Sequence, residues 1–239
     1  MPTEKIIPIF PLDLVLFPRQ ELPLRVFEPR YKQLVDDCML GDGQFGACLV
    51  RDGGSVLGWS MPHSVGTVAK IIRCKDVGLD GLQLQIETVG RNPFRINEII
   101  EPSMPQPPDY DPLSVEGHKI ISEMNDKMGP GGKMYIRAKV TMLPEIDGSI
   151  PLDSWENLVF LWKKNIKHQA TSDDVTPGAL GEVLRRFYLA TDTPTAEYVY
   201  SLCALASTGP ADLQDLLEAE SADDLLGRAE RLMRRGMPS

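Results

Sequence analysis

The residue types best suited to chemistry in this 239-residue sequence stand together at Glu28, Arg30 and Tyr31. A carboxylate and a guanidinium beside an aromatic ring could bind a polar ligand. The same charges could instead form an ion pair, with a neighbour such as Arg25, that fixes the start of the helix opened by Pro29. The sequence favours the structural role, since ion pairs often hold charges in place, and the ligand-binding role stays open.

Motifs for catalysis and for metal or nucleotide binding are incomplete. Residues 129–134 resemble the end of a phosphate-binding loop, but Lys127 stands where its first glycine should be and Met134 where its hydroxyl should be. The three histidines lie far apart without an H-E-x-x-H pattern, and there is no G-x-S-x-G. We therefore predict no catalytic residues, no cofactor and no metal site.

Composition narrows the class of protein. The net charge of −9 argues against nucleic-acid binding, which usually needs a basic surface. The four cysteines form no C-x-x-C pair and fit a reducing compartment. Because no apolar run is long enough for a membrane span and no signal peptide is recognisable, we expect a cytoplasmic protein without membrane contact.

The elements that must position the polar cluster are short strands and one helix. Prolines recur between residues 8 and 29, and proline suits strand starts, edges and bulges. From Pro29, apolar residues recur with helical spacing as far as Gly41, a natural C-cap. Further strands are predicted at residues 44–50, 66–74, 82–87, 94–99 and 135–143, with turns at residues 52–55 and at Asp80-Gly81. This pattern predicts an α+β fold with a small β pseudo-barrel and one packed helix.

A helical insertion is predicted within the barrel, at about residues 102–132. Five prolines between residues 102 and 112 predict a stiff connector. Helical spacing then runs from about residue 113 to residue 128.

The remainder of the chain is predicted to be a helical bundle. Helices are expected to start near Asp153, Thr176, Thr193 and Ser221, the second extending through Phe187 and Tyr188 and the third ending at Gly209. We therefore predict a β-barrel domain at residues 1–147 and a helical domain at residues 148–239.

Several motifs resemble the Lon protease N-terminal domain family. Residues 7–31 are similar to its opening sequence, I-P-[IL]-F-P-L, V-L-F-P and L-P-L-R-[VI]-F-E-P-R-Y. Residues 65–71 resemble its V-G-T-x-A-x-I, residues 90–96 its G-x-x-R-F-x-I, and residues 135–145 its closing strand. One departure, Pro93 in the third motif, predicts a β-bulge.

The resemblance implies a PUA-like pseudo-barrel followed by a C-terminal helical bundle. It also implies substrate recognition, the role for which that family is best known. In the full protease an ATPase and a Ser-Lys peptidase follow, and neither is found in this sequence. We therefore expect a stand-alone, bacterial-type member that recognises proteins without cleaving them.

Three functions follow as hypotheses. The first is a non-catalytic protein- or peptide-binding module, a substrate-recognition or adaptor protein in protein quality control. Its partners would be unfolded or peptide-like segments and a AAA+ protease, and it could form homo-oligomers. The alternatives are an RNA-binding PUA-like module, which the charge disfavours, and a hydrolase or peptidase, which no motif supports. The candidate peptide contacts are Phe17, Arg25, Phe27, Glu28, Arg30, Tyr31 and Trp155. The apolar ones could equally belong to an interdomain core.

Overall fold

The computed structural model describes residues 4–77, 83–129, 131–146, 148–169 and 176–235. Within these residues the chain forms seven strands and seven helices, in two compact units at residues 1–144 and 145–239. The strands are β1 (Glu4–Leu12), β2 (Glu21–Val26), β3 (Gln44–Val56), β4 (Trp59–Pro62), β5 (Val65–Asp76), β6 (Leu84–Ile100) and β7 (Arg137–Met142). The helices are α1 (Pro29–Leu40), α2 (Val115–Lys127), α3 (Leu152–Gln169), α4 (Pro177–Arg186), α5 (Ala196–Ala206), α6 (Pro210–Leu217) and α7 (Ala222–Arg234).

Five strands of the first unit close into a barrel. The order is β1-β7-β6-β5-β3, and β3 pairs again with β1, so that the ring has no gap. The β1–β3 pair is parallel and joins residues 9–12 to residues 46–49, whereas the other pairs of the ring are antiparallel. Outside the ring, β4 pairs antiparallel with β3, and β2 pairs antiparallel with the first half of β6. The predicted α+β class is confirmed.

Two glycines of the predicted motifs are needed because backbones approach closely there. A Cβ on Gly66 would lie 2.5 Å from the Sγ of Cys48, and a Cβ on Gly90 would lie 2.1 Å from the carbonyl oxygen of Phe17. No side chain fits at such distances, so only glycine is tolerated at either position. Beside Gly66, the buried Thr67 hydroxyl donates to the Leu16 carbonyl at 2.6 Å and fastens the segment that follows β1.

Both helices of this unit pack on the barrel core. Pro29 occupies the first turn of α1 and Gly41 is its C-cap, as predicted. The buried face of α1 includes Leu34 and Val35, which join one apolar cluster with Phe45. The predicted insertion carries α2, whose Ile121 is buried in a second cluster together with Phe94.

The second unit is helical, as predicted. Helices α3, α5 and α7 pack against one another. The residues buried among them are mostly apolar, and Asn165 on α3 is a buried polar one, whose Nδ2 donates to the carbonyl of Met233 on α7 at 2.8 Å. The hydroxyls of Thr176 and Ser221 accept backbone N–H groups at the starts of α4 and α7, as N-caps do.

Residues 52–55, predicted to be a turn, lie inside β3. The register of β3 against β4 slips across this stretch, and Gly53 has a φ of 71°. The glycines therefore form a bulge in a long strand. The chain reverses at Leu57 and Gly58, where φ is 51° and 88°, as a two-residue hairpin turn needs. The prediction was wrong because glycine serves bulges and turns alike.

The two strands predicted at residues 82–87 and 94–99 are one strand, β6. Against β5 the register slips between the pairs Thr67–Pro93 and Ala69–Gly90, where two residues of β6 stand opposite one residue of β5, so the predicted bulge next to Pro93 is present. The predicted Asp80-Gly81 turn lies outside the described residues.

Two helical predictions also need correction. Phe187 and Tyr188 follow the end of α4, and they are 51% and 85% exposed. Gly209, predicted to end the helical run, instead precedes α6 as its N-cap. Sequence spacing alone missed α6 because it has only eight residues and therefore little more than two turns.

Candidate functional site

A cleft of about 310 Å³ lies in the first unit, where β1 and β2 end and α1 begins. Apolar side chains such as Leu12, Leu24 and Phe27 stand beside the charged Asp13 and Arg25. The lining consists of residues 10–13 and 24–28 with Arg30, Tyr31, Val50 and Ser60. The cleft therefore offers apolar contact together with charges of both signs.

Two strand segments that line the cleft have no strand partner on one side among the described residues. Residues 10–12 of β1 pair with β3, because the pairing of β1 with β7 stops at Pro8. Strand β2 pairs with β6 alone within the described part of the chain. Backbone N–H and C=O groups on such edges can accept another extended chain.

Arg30 is the most enclosed charged side chain of the cleft, with 9% of the side chain exposed against 13% for Glu28. Its guanidinium carbon lies 4.1 Å from the ring centre of Tyr31 and 4.0 Å from that of Trp59. Its Nε donates to Oε2 of Glu28 at 2.9 Å. Because arginine stays charged at any ordinary pH, these contacts compensate a cation that has lost most of its water.

The proline-rich connector is fastened to the same cluster. The Tyr110 hydroxyl donates to Oε2 of Glu28 at 3.3 Å, and the Tyr110 ring packs edge-on against Trp59 with ring centres 5.4 Å apart. The indole Nε1 of Trp59 donates to the Met104 carbonyl at 3.1 Å. The polar cluster of the sequence thus also holds the connector against the barrel.

Burial keeps both tyrosine hydroxyls of this cluster protonated. It raises the pKa of Tyr31 well above its usual value, although the Arg30 charge acts in the opposite direction. Burial, and after it the Glu28 carboxylate, likewise raises the pKa of Tyr110. Both groups therefore act as neutral hydrogen-bonding groups at neutral pH.

The structure brings together five of the seven predicted contact residues. Arg25, Phe27, Glu28, Arg30 and Tyr31 all line the cleft.

The other two lie elsewhere. Phe17 is 4% exposed and is not part of the cleft lining. Trp155 belongs to the second unit, on α3.

The ion pair suggested with Arg25 does not form. Arg25 is exposed on β2 and makes no ion pair with another described residue, whereas Glu28 pairs with Arg30. The alternation of the strand explains this, because Val26 turns into the core and Arg25 therefore faces outward.

Sequence reasoning missed Trp59 and Tyr110, the aromatic partners of this cluster. Trp59 follows a hairpin turn and Tyr110 lies in the connector, so neither stands in a periodic pattern. Only the folded chain brings them to Arg30.

A second cleft, of about 390 Å³, lies within the helical unit. It is lined by α3, by Leu184 and by residues 189–192, and Trp155 forms part of its wall. Trp155 is 2% exposed and packs edge-on against Tyr198 with ring centres 6.1 Å apart. Phe160, another lining residue, is 64% exposed.

Burial makes the enclosed cysteines poor nucleophiles. It raises the pKa of Cys38 to about 12 and that of Cys203 to about 12. In the part of the chain that is described, no three His, Cys, Asp or Glu side chains gather in a way that could hold a metal ion. Nor is any helix there both long enough and apolar enough to span a bilayer.

The fold and the cleft define a small β-barrel with open strand edges, accompanied by a helical unit. Residues 6–235 match the family described as the ATP-dependent protease La (LON) substrate-binding domain. The chain belongs to this family, and the resemblance of its motifs is thereby confirmed.

Solved structures support the same fold. The crystal structure of a Lon N-terminal domain protein from Xanthomonas campestris has 23% identity and a TM-score of 0.59, with 98% of this chain and 99% of that chain covered. The N-terminal domain of Mycobacterium avium complex Lon protease has 15% identity and a TM-score of 0.57, with 98% and 100% covered. Comparison with curated proteins gave no match.

Proposed function

We propose that this protein binds exposed, extended segments of other proteins in the cleft of the first unit and does not act on them chemically. The observation that carries the proposal is the position of this cleft in a fold of the LON substrate-binding family, between two strand edges that have no partner in the described part of the chain. In such a role the protein would serve cytoplasmic quality control, as a recognition or adaptor protein for a AAA+ protease.

The dimensions of the cleft favour a short segment. Its volume of about 310 Å³ is near the lower end of the range of roughly 300–1,000 Å³ that is usual for ligand sites. Such a space accepts a few side chains of an extended chain and excludes a folded domain. The free edges of β1 and β2 would supply main-chain hydrogen bonds, which do not depend on the sequence of the segment.

The apolar lining would supply most of the binding energy. Leu12, Leu24 and Phe27 are partly exposed along this cleft, so that covering them with a bound segment removes apolar surface from water. Phe27 stands in the two-residue link between β2 and α1 and is the largest of them. It is therefore the best single position at which to test the site.

The test is a fluorescence-anisotropy titration of the full chain against labelled segments of a permanently unfolded protein. Phe27→Ser should weaken binding by roughly tenfold, since an aromatic contact is worth about 1.4 kcal/mol or more. Ile72→Ser is the matched control, because Ile72 is 55% exposed on β5 and does not line the cleft. Thermal unfolding of each variant would show that the fold is kept.

Equal affinities of the two variants, or no binding by the unaltered chain, would contradict the proposal. Single-stranded RNA should not compete with the segment, because the chain carries a net charge of −9. The segment should also remain intact during the titration, with or without ATP.

A further inference from the structure

Arg30 has more hydrogen-bond donors than the described part of the protein uses. Its Nε donates to Oε2 of Glu28 at 2.9 Å. The terminal Nη1 and Nη2 groups donate to no described residue in hydrogen-bond geometry, although the guanidinium interacts with the nearby Tyr31 hydroxyl. These two nitrogens are not fully enclosed by protein atoms, and Arg30 lines the cleft. The donor edge of a side chain that is 9% exposed therefore opens into the cleft.

The surroundings of Arg30 hold this edge in one orientation. Its guanidinium packs against the rings of Tyr31 and Trp59, and its Nε is fixed by Glu28. A planar fork of N–H donors held in this way matches the two oxygens of a carboxylate. Because the group is already ordered, a ligand would lose little free energy in ordering it.

The start of α1 adds a second attraction for an anion. This helix has 12 residues, and its N-cap, Glu28, makes no side-chain hydrogen bond to the backbone N–H groups of the first turn. Pro29 has no backbone N–H, and the Tyr31 N–H donates to the Glu28 carbonyl at 3.0 Å, so among the described residues the Arg30 N–H is the one left without an acceptor in the first turn. This group and the helix dipole carry a partial positive charge that favours anions. Glu28, Arg30 and Tyr31 all line the cleft, so this helix end and the Arg30 fork face the same space.

The charged side chains that line the cleft are equal in number. Two are basic, Arg25 and Arg30, and two are acidic, Asp13 and Glu28. Glu28 is already engaged by Arg30 and by the Tyr110 hydroxyl, whereas Asp13 is exposed. Asp13 is therefore the charge that opposes an incoming anion.

We infer that Arg30 and the start of α1 form a carboxylate-binding subsite within the peptide-binding cleft. The subsite would take either the C-terminal carboxylate of a bound segment or an Asp or Glu side chain within it. The inference rests on the proposed function, because it names the group by which a bound segment is oriented in that same cleft.

The test uses three labelled peptides of one apolar sequence that binds the full chain. The first ends in a free carboxylate, the second in an amide, and the third in an amide with one internal Glu. The free-acid or the Glu peptide should bind about tenfold more tightly than the plain amide, as expected for a hydrogen-bonded charge pair. The peptide with the tighter binding identifies the source of the carboxylate.

Variants distinguish this subsite from general electrostatics. Arg30→Gln should remove the difference between the acid and amide peptides, whereas Arg91→Gln, on an exposed residue outside the cleft, should keep it. Asp13→Asn leaves the Arg30 cluster intact and should strengthen acid binding by roughly two- to fivefold, the range of a surface charge interaction.

Equal binding of all three peptides, or an unchanged acid preference in Arg30→Gln, would overturn the inference while leaving peptide binding in the cleft standing. If the Arg30→Gln variant does not fold, the Asp13→Asn variant decides. An affinity of Asp13→Asn for the acid peptide equal to that of the unaltered chain would count against the subsite. Absence of binding by any peptide would overturn the proposed function itself.

Discussion

The Arg30 guanidinium is enclosed by partners that come from distant parts of the chain. Tyr31 and Glu28 are its neighbours in sequence, whereas Trp59 comes from β4, and Tyr110, which bonds Glu28, comes from the connector. The local charges could be predicted because they share one turn of chain. The aromatic partners could not, because only the closure of the barrel brings them there.

Tyr135 is a second residue whose contacts have a measurable consequence. Its hydroxyl donates to Oδ2 of Asp37 at 2.5 Å, and the same oxygen accepts Nζ of Lys133 at 2.7 Å. Burial, and then this hydrogen bond to a carboxylate, raises the pKa of Tyr135 well above its usual value. The folded state therefore favours the neutral phenol.

We expect the contribution of Tyr135 to stability to be fully present below about pH 10, the unfolded pKa, and to be lost as the pH rises toward the folded value. Tyr135→Phe should lower the free energy of unfolding by about 1–2 kcal/mol at neutral pH, because Asp37 loses a donor. Urea unfolding at about pH 7 and about pH 10.5 measures both effects. A variant that loses as much stability as the parent between these two pH values would contradict the assignment.

Gly90 offers a sharper test of backbone packing. A Cβ there would lie 2.1 Å from the carbonyl oxygen of Phe17, so Gly90→Ala must move backbone and should cost about 2 kcal/mol or more. Gly181, within α4, has nothing within 4 Å of such a Cβ. Gly181→Ala should therefore stabilise the protein by about 0.5–1 kcal/mol through helix propensity. Similar unfolding free energies for the two variants in chemical denaturation would refute this explanation of the motif glycine.

At the scale of elements, the predicted insertion is part of the barrel core. Ile121 of α2 is 1% exposed, and it packs in the cluster that contains Phe94 and Trp59. The preceding connector is held by the Gln106 N–H, which donates to the Leu57 carbonyl at 2.8 Å. The helix therefore covers a face of the barrel that would otherwise be exposed to water.

Ile121→Ala should destabilise the protein by about 2–4 kcal/mol, since it removes buried methyl groups and leaves a cavity. Val115→Ala, on the same helix but 88% exposed, should change stability by no more than about 0.5 kcal/mol. Thermal and urea unfolding of both variants compare the two positions. Equal, small effects would mean that α2 is dispensable.

Elements whose ends are marked by particular residues could be predicted from the sequence. The length of elements that depend on pairing with neighbouring strands could not. Helix α1 begins at a proline and ends at a glycine cap, both visible in the sequence. The extent of β3 and β6 depends on neighbouring strands, which continue a ladder through Gly53 and Pro93 by means of bulges. Local composition could not distinguish such bulges from turns.

At the scale of the whole molecule, the family could be predicted better than the site. Motif residues such as Gly66 and Gly90 are fixed by close backbone contacts, so they leave a pattern in the sequence. The cleft depends instead on where β1 stops pairing with β7 and where β2 stands beside β6. No local sequence pattern shows where the β1–β7 pairing ends or that β2 pairs with β6. The predicted contacts Phe17 and Trp155 accordingly lie outside this cleft.

Hydrogen exchange of the full chain, with and without a saturating unfolded segment, tests the central proposal most directly. A segment that adds to the free strand edges must slow the exchange of backbone amides there. We predict protection confined to residues 10–13 and 24–31, which border the cleft of the first unit. Protection only at α3 and residues 184–192, or no protection at saturation, would contradict the assignment of this cleft as the binding site.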